Sequence, residues 1–342
     1  MQLHRRSNCS ILLVTYNSAP HLLRCLNCLN SQTCPSFEVI VIDNGSSDES
    51  VAIVEKYQSR FNLKIIIQKE NVGFAAANNV GARAADGEWL VFLNADAFPE
   101  PDWLEKLVEA AEMHPEYAAF SSRQISANAT EFLDGAGDAY HVSGMAWRNC
   151  LGYPAAQYGQ ESREVFSPCA AAAMYLRDAF LEVGGFDEDL FSYYEDVDLG
   201  FRLRLAGYKA YYVADAVVHH VGSATFGLQS DFAFYHVHRN LVWVFLASMP
   251  SPYHVLFLPQ HIFLNLFYLF YYALLGRGHV LFRAKRDALA SLPKVLNKRR
   301  RIQASMNVRA TDVVKAMQKD IFEPYFLSFN RRRALKKYHT QS

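Results

Sequence analysis

The chain begins by alternating short apolar runs with stretches in which apolar residues recur every three or four positions. Ile11–Val14, Phe37–Ile42, Leu63–Gln68 and Trp89–Leu93 read as buried strands. Between them, Ala19–Gln32 places Leu22, Leu23, Leu26 and Leu29 at helical spacing. Glu49–Tyr57 is a short helix with Asp48 placed to cap it, and Phe74–Ala85 is an alanine-rich helix. Strands joined by helices at this spacing imply a parallel sheet with right-handed crossovers, a nucleotide-binding half of Rossmann type. The strands end in polar residues: Thr15-Tyr16-Asn17, Asp43-Asn44-Gly45 and Asn94-Ala95-Asp96. Ligands of open α/β sheets bind at that edge. Turn chemistry accounts for part of the pattern, since Asn and Asp are common turn residues. Pro99 and Pro101 are expected to stop the fourth strand from continuing.

Further on, Pro101–His114 reads as a helix and Ala118–Gln124 as a strand. The segment 132–167, with Asp134-Gly135-Ala136-Gly137-Asp138 and Trp147, reads as irregular, an acceptor-side loop or extra strands. Pro168–Tyr175 is a small-residue strand, and Arg177–Val183 a helix ending at Gly184-Gly185. A helix over about Glu195–Ala206 closes on Gly207, and Tyr208–Val213 and Ala216–His219 are strand-like. Asn240–Leu246 and Val255–Leu275 are apolar. The second run has the length to span a bilayer, but Pro259, Gln260, His261 and Asn265 interrupt it. The division that follows is an α/β catalytic unit over 1–235 and a helical, aromatic and basic region over 236–342.

Charge sharpens that division. The 34 Lys/Arg and 34 Asp/Glu cancel overall, but Arg277–Ser342 carries 17 basic residues against 4 acidic ones. A basic tail beside an aromatic, lipid-like run points to a membrane surface, with monotopic attachment ahead of a true span, and disfavours nucleic acid as partner. Of six cysteines, Cys25 and Cys28 form half a zinc-site spacing with no second close pair; reduced core thiols are expected. Ile11–Val14 is too short for a signal-peptide core, so the catalytic part is expected in the cytoplasm.

Glu195, Asp196 and Asp198 fall in the first turn of a helix, where exposed N–H groups favour ionised carboxylates. Asp198 precedes Arg202 by four residues, which suits an ion pair, whereas Asp196 lacks such a partner and can serve as a general base. His219 and His220 are adjacent on a strand and must face opposite sides, so at most one shares a site with Asp96. An Asp with a His, completed by diphosphate oxygens and water, suits Mg²⁺ or Mn²⁺. The turn after the first strand has no G-x-G-x-x-G, which argues against a nicotinamide dehydrogenase.

Seven segments in order carry a resemblance: V-T-Y-N (14–17), V-I-D-N-G-S-S-D (41–48), N-V-G-F-A-A-A-N-N (71–79), L-N-A-D (93–96), G-G-F-D-E (184–188), Y-E-D-V-D-L-G-F-R (194–202) and H-H-V-G-S (219–223). With them the chain resembles glycosyltransferase family 2, with its GT-A fold, and especially its bacterial rhamnosyltransferase-like members. The resemblance implies a nucleotide-sugar site at Thr15, Tyr16, Asn17, Asp43, Gly73, Asn78, Asn94 and Ala95. It implies a metal, Mn²⁺ or Mg²⁺, on Asp96 and on His219 by the H-x-V-G spacing, with His220 as rival. Asn94 replaces the first acid of the family's D-x-D motif. Asp196 would be the base of an inverting transfer to a saccharide hydroxyl, on an acceptor expected to be lipid-linked, at the cytoplasmic membrane face. The alternatives are a polyprenyl-phosphate glycosyltransferase and a non-catalytic nucleotide-sugar-binding or scaffold protein. The Q-x-x-R-W motif of processive synthases is absent, which favours adding one or a few sugars.

Overall fold

A computed structural model describes residues 9–60, 62–222, 230–327 and 330. Ser223, the last residue of the H-H-V-G-S motif, and the basic residues from 331 onward lie outside the described residues. The first four apolar runs form β1 (Cys9–Thr15), β2 (Phe37–Asp43), β3 (Asn62–Ile67) and β4 (Trp89–Asn94). They pair in parallel in the order β3-β2-β1-β4, linked by α1 (Ala19–Asn30), α2 (Ser50–Glu55) and α3 (Phe74–Ala84). Alternation along β1 sends Ile11 and Leu13 into one apolar layer with Leu22, Leu26 and Trp103. Leu12 enters the other, with Ala75, Ala77 and Phe92. Each of these fully buried aliphatic side chains contributes roughly 1.5–3 kcal/mol, so the two-sided sheet is held by its own strand pattern.

The chain then builds β5 (Ala97–Pro99), α4 (Trp103–Met113), β6 (Ala119–Ser126), β7 (Leu133–Gly135), β8 (Asp138–Tyr140), β9 (Ala146–Arg148) and β10 (Arg163–Val165). β11 (Ala172–Leu176), α5 (Arg177–Glu182), α6 (Glu195–Ala206) and β12 (Ala210–His220) follow. The sheet is mixed, in the order β10-β12-β6-β11-β4-β1-β2-β3, with β5 on β12 and β7 on β6. β11 runs antiparallel to both β4 and β6 and so joins the parallel half to the rest.

Three details refine the sequence reading. The fourth strand does end, at Asn94, but Pro99 itself lies in a separate short strand, β5, at an edge where a missing N–H is tolerated. The two strand-like runs before His220 are one strand, β12, with a register shift between Val213 and Val217. Of the two readings of the segment 132–167, extra strands is the one found: it holds four short strands, of which β8 and β9 form a separate two-stranded ribbon.

Beyond residue 230 come α7 (Asp231–Ser248), α8 (Tyr253–Leu274), α9 (Gly278–Ala290), α10 (Leu292–Ala304) and α11 (Ala310–Lys315). α7 starts where the Ser230 hydroxyl accepts the Ala233 N–H, and it packs Leu241, Val244 and Phe245 against Phe201 and Leu205 of α6. α8 is long and apolar enough to cross a membrane, with mean hydropathy 1.3. One stripe of it touches the body: the His261 ring stacks on Phe245, its Nδ1 lies 2.8 Å from the Ser143 carbonyl, and Leu264 is fully buried. The opposite stripe, with Leu256, Phe263, Leu266, Phe270 and Leu274, is exposed.

Candidate active site

The polar ends of β1, β2 and β4 converge on one sheet edge, as the strand pattern predicts. Asn17, in the left-handed region at φ 49°, accepts the Ser47 N–H at 2.8 Å, and its own N–H reaches Ser46 Oγ at 2.9 Å. These bonds tie the loop after β1 to the loop after β2. Tyr16 is half-buried beside them, its N–H bonded to Ser18 Oγ. Asp43 is buried; Oδ2 accepts the Ser46 N–H, whereas Oδ1 has no hydrogen-bond partner. The buried Thr15 hydroxyl also has none. Buried polar atoms are nearly always bonded, so a pair without partners marks a place where a ligand's polar groups fit.

Gly73 closes this side. Its φ is +89°, and a Cβ there would lie 2.6 Å from the Phe191 ring, so only glycine admits both the turn and the ring. Asn78 is buried and donates to the Phe74 carbonyl within its own helix. The neighbouring Asn79 reaches across instead: it exchanges bonds with the Phe186 backbone and donates to Glu188, pinning the G-G-F-D-E segment to α3.

Asp96 follows β4 after Asn94 and the buried Ala95. Its carboxylate Oδ1 lies 3.3 Å from Nε2 of His220, not near His219. His219 turns to the other side of β12, where its Nε2 is 2.9 Å from Glu100 Oε1. The expected pairing of Asp96 with His219 is thus not found. Strand alternation allows one of two adjacent histidines at this edge, and the register of β12 on β5 and β6 assigns it to His220. Asn94 Nδ2 also lies 3.5 Å from His220 Nε2.

His220 leads to residues the motifs do not mark. Its Nδ1 is 2.8 Å from Asp134 of β7, and the same Asp134 oxygen pairs with the Arg148 guanidinium of β9. Burial alone would lower the His220 pKa, but the Asp134 and Asp96 carboxylates outweigh it and hold the imidazole above its ordinary value. For Asp134, burial is overcome by Arg148 and His220, which bring its pKa down to about 2.

Asp196 stands in the first turn of α6, its two oxygens accepting the Ala170 and Val197 N–H groups. Burial raises its pKa above the usual aspartate value, opposed by the Ala170 N–H and the Arg148 charge. Asp138, paired with Arg148 across β8 and β9, is buried with Oδ1 unbonded, and burial followed by the Asp196 charge pushes it far up. Arg148 is therefore the cation shared among Asp134, Asp138 and Asp196. Asp198 forms its i,i+4 pair with Arg202 at 2.7 Å. α6 reaches this position because Gly200 lies directly on Ser167: an added Cβ would sit 2.1 Å from the Ser167 Cβ.

Among the described residues, two groups of side chains could receive a cation. Asp138, Cys169 and Asp196 bring ligand atoms within 4.8 Å of one another. Burial keeps the Cys169 thiol protonated and both Asp196 oxygens are bonded, a poor donor set for a hard cation. Asp96 with His220 offers an ionised oxygen and an imidazole nitrogen held by a carboxylate behind it, which fits Mn²⁺ or Mg²⁺.

A parallel α/β half joined through an antiparallel strand to an acid-bearing helix start is the GT-A arrangement of glycosyltransferases. The profile of "Glycosyl transferase family 2" matches residues 10–184, and the chain belongs to that family. It is 30% identical over 270 residues to the N-acetylglucosaminyl-diphospho-decaprenol L-rhamnosyltransferase of Mycobacterium tuberculosis, covering 70% of this chain and 84% of that one. The O-antigen biosynthesis protein RfbC of Myxococcus xanthus is 31% identical over 61% of this chain and 17% of its own length. In fold the chain resembles the mannosyltransferase PcManGT of Pyrobaculum calidifontis, solved with GDP-Man and Mn²⁺. That match has a TM-score of 0.54 at 18% identity, over 92% of this chain and 86% of that one. GalNAc-T7, solved with UDP, GalNAc and Mn²⁺, matches with a TM-score of 0.60 at 18% identity, over 73% of this chain and 49% of that one.

Proposed function

We propose that this glycosyltransferase moves a sugar from a nucleotide-sugar donor to a hydroxyl of a lipid-linked saccharide, with inversion at the anomeric carbon. The observation that carries the reading is the convergence at one sheet edge of unbonded Thr15 and Asp43 oxygens, the Asp96–His220 pair and Asp196. Thr15, Tyr16, Asn17, Asp43, Gly73 and Asn78 surround the base and ribose, and Asn94 and Ala95 lead to the diphosphate. Asp96 and His220 hold the cation, which when bound neutralises charge on the departing diphosphate. Asp196 accepts the proton of the acceptor hydroxyl as its oxygen bonds to the anomeric carbon and the bond to the diphosphate breaks on the opposite face. Its raised pKa suits proton acceptance better than an ordinary surface carboxylate would.

α8 serves as a monotopic attachment to the cytoplasmic membrane face. A helix pinned along one stripe to the protein body cannot be surrounded by lipid, but its free stripe can sink into an interface beside basic residues. The relative that acts on a decaprenol-linked diphosphosugar supports an acceptor presented at such a surface. Thermal-shift titration of the full chain with UDP-, GDP- and dTDP-sugars plus Mn²⁺ tests the donor reading: one series raises the melting temperature, and the rise is lost in Asp96→Ala. No shift with any of the three would sink it.

A further inference from the structure

The backbone just before Asp196 is strained and held from outside. Phe191, Tyr193 and Tyr194 have φ of 66°, 65° and 70°, three non-glycine residues in the left-handed region within four positions. Such residues persist only where their surroundings impose the conformation. The restraint comes from the helices after residue 230. Asn240 of α7, fully buried, directs Nδ2 at the carbonyls of Leu190 (3.0 Å), Ser192 (3.1 Å) and Tyr193 (2.7 Å). Arg239 donates to the carbonyls of Asp189 and Leu190, both at 3.1 Å. The Phe191 carbonyl, pointing the other way, accepts the Ala75 N–H at the start of α3. All five consecutive carbonyls from 189 to 193 are therefore accounted for. Lys294 and Lys298 of α10 pair with the Asp187 and Asp189 carboxylates, and the Tyr194 hydroxyl accepts the Ala146 N–H two residues from Arg148.

We propose that Asn240 and Arg239 are positioning residues for Asp196, so that the C-terminal helices complete the active site besides carrying it to a surface. The proposal rests on the reading of Asp196 as the base. A helix packed only for stability would cover the loop with apolar side chains. A buried amide aimed at three carbonyls instead fixes the direction of a turn, because leaving those carbonyls unbonded is costly. The turn ends one residue before Glu195-Asp196, so its direction sets where the Asp196 carboxylate starts.

The test uses the full chain with Asn240→Leu, nearly isosteric without the donor, and Arg239→Gln, at a half-buried position where folding is retained. Transfer is read as nucleoside diphosphate released from the sugar nucleotide with a membrane lipid extract as acceptor, at saturating donor. Affinity for the best-binding of UDP, GDP and dTDP with Mn²⁺ is measured by calorimetry. Expected are a fall in kcat of at least tenfold for Asn240→Leu and about threefold for Arg239→Gln, with nucleotide affinity within twofold of wild type. Unchanged kcat in the folded variants overturns the proposal, as does a loss of nucleotide affinity that accounts for the fall. If Asn240→Leu fails to fold, Arg239→Gln decides. Wild-type transfer in Asp196→Asn would overturn the base assignment itself, whereas loss there beside unchanged kcat in the other two overturns only the positioning role.

Discussion

The loops after β1 and β2 and the cluster beyond β4 are built on opposite principles. Around Asn17, Asn44 and Asp48, short side chains close turns on nearby backbone: Asn44 accepts the Val72 N–H, and Asp48 accepts those of Ala19 and Ser50. Little charge is buried there, and the Asn44–Val72 and Asp48–Ala19 bonds join successive β–loop–α units. Beyond β4, Asp134, Arg148, Asp196 and His220 come from four elements, are charged or chargeable, and compensate one another in a crowded space. Removing one member there leaves its partner uncompensated, so a substitution should disturb chemistry. On the loop side it should disturb binding by about one hydrogen bond.

Five substitutions break or sharpen this contrast. The largest effect is expected for Asp196→Asn, which lowers kcat by roughly 10²–10⁴ while nucleotide affinity stays within twofold; comparable losses in both would erase the distinction. Next, Asp134→Asn should weaken Mn²⁺ binding by roughly 10–100-fold in calorimetry, because the carboxylate behind an imidazole sets its orientation and basicity. His219→Ala, facing Glu100, should leave Mn²⁺ affinity unchanged, and a loss there would return His219 to the site. Arg148→Met acts through charge. Asp196 must be ionised to accept a proton, and its raised pKa places the acid limb of kcat/KM above the usual aspartate range. Arg148 favours the anion, so its removal should move that limb to still higher pH. The smallest loss is expected from Thr15→Val. Losing an unbonded buried hydroxyl should leave the melting temperature of the free enzyme equal or higher, while nucleoside diphosphate affinity falls by roughly 2–12-fold. Unchanged affinity would remove Thr15 from the donor site.

The extent to which this site can be read from sequence follows the same contrast. β1 to β4 show because burial on both faces demands continuous apolar runs, and their polar ends mark the ligand edge. Asp96 and Asp196 show because each sits where a regular element stops or starts. Asp134 and Arg148 lie on three-residue strands, too short for any period to appear, and the D-G-A-G-D run around Asp134 reads equally well as a turn. Asn240 looks like a polar interruption of an apolar helix until its three carbonyl partners are in place.

What the residues alone settle is therefore periodic and local: the parallel half, the edge where its strands end, and the acids at element boundaries. Period-two alternation also requires that His219 and His220 face opposite sides. Which of them meets Asp96 depends on how β12 is registered against β5 and β6, where His219 lies opposite Phe98 and Ile125, residues far earlier in the chain. A one-residue slip would exchange the two imidazoles, and that register is set by packing across the whole sheet.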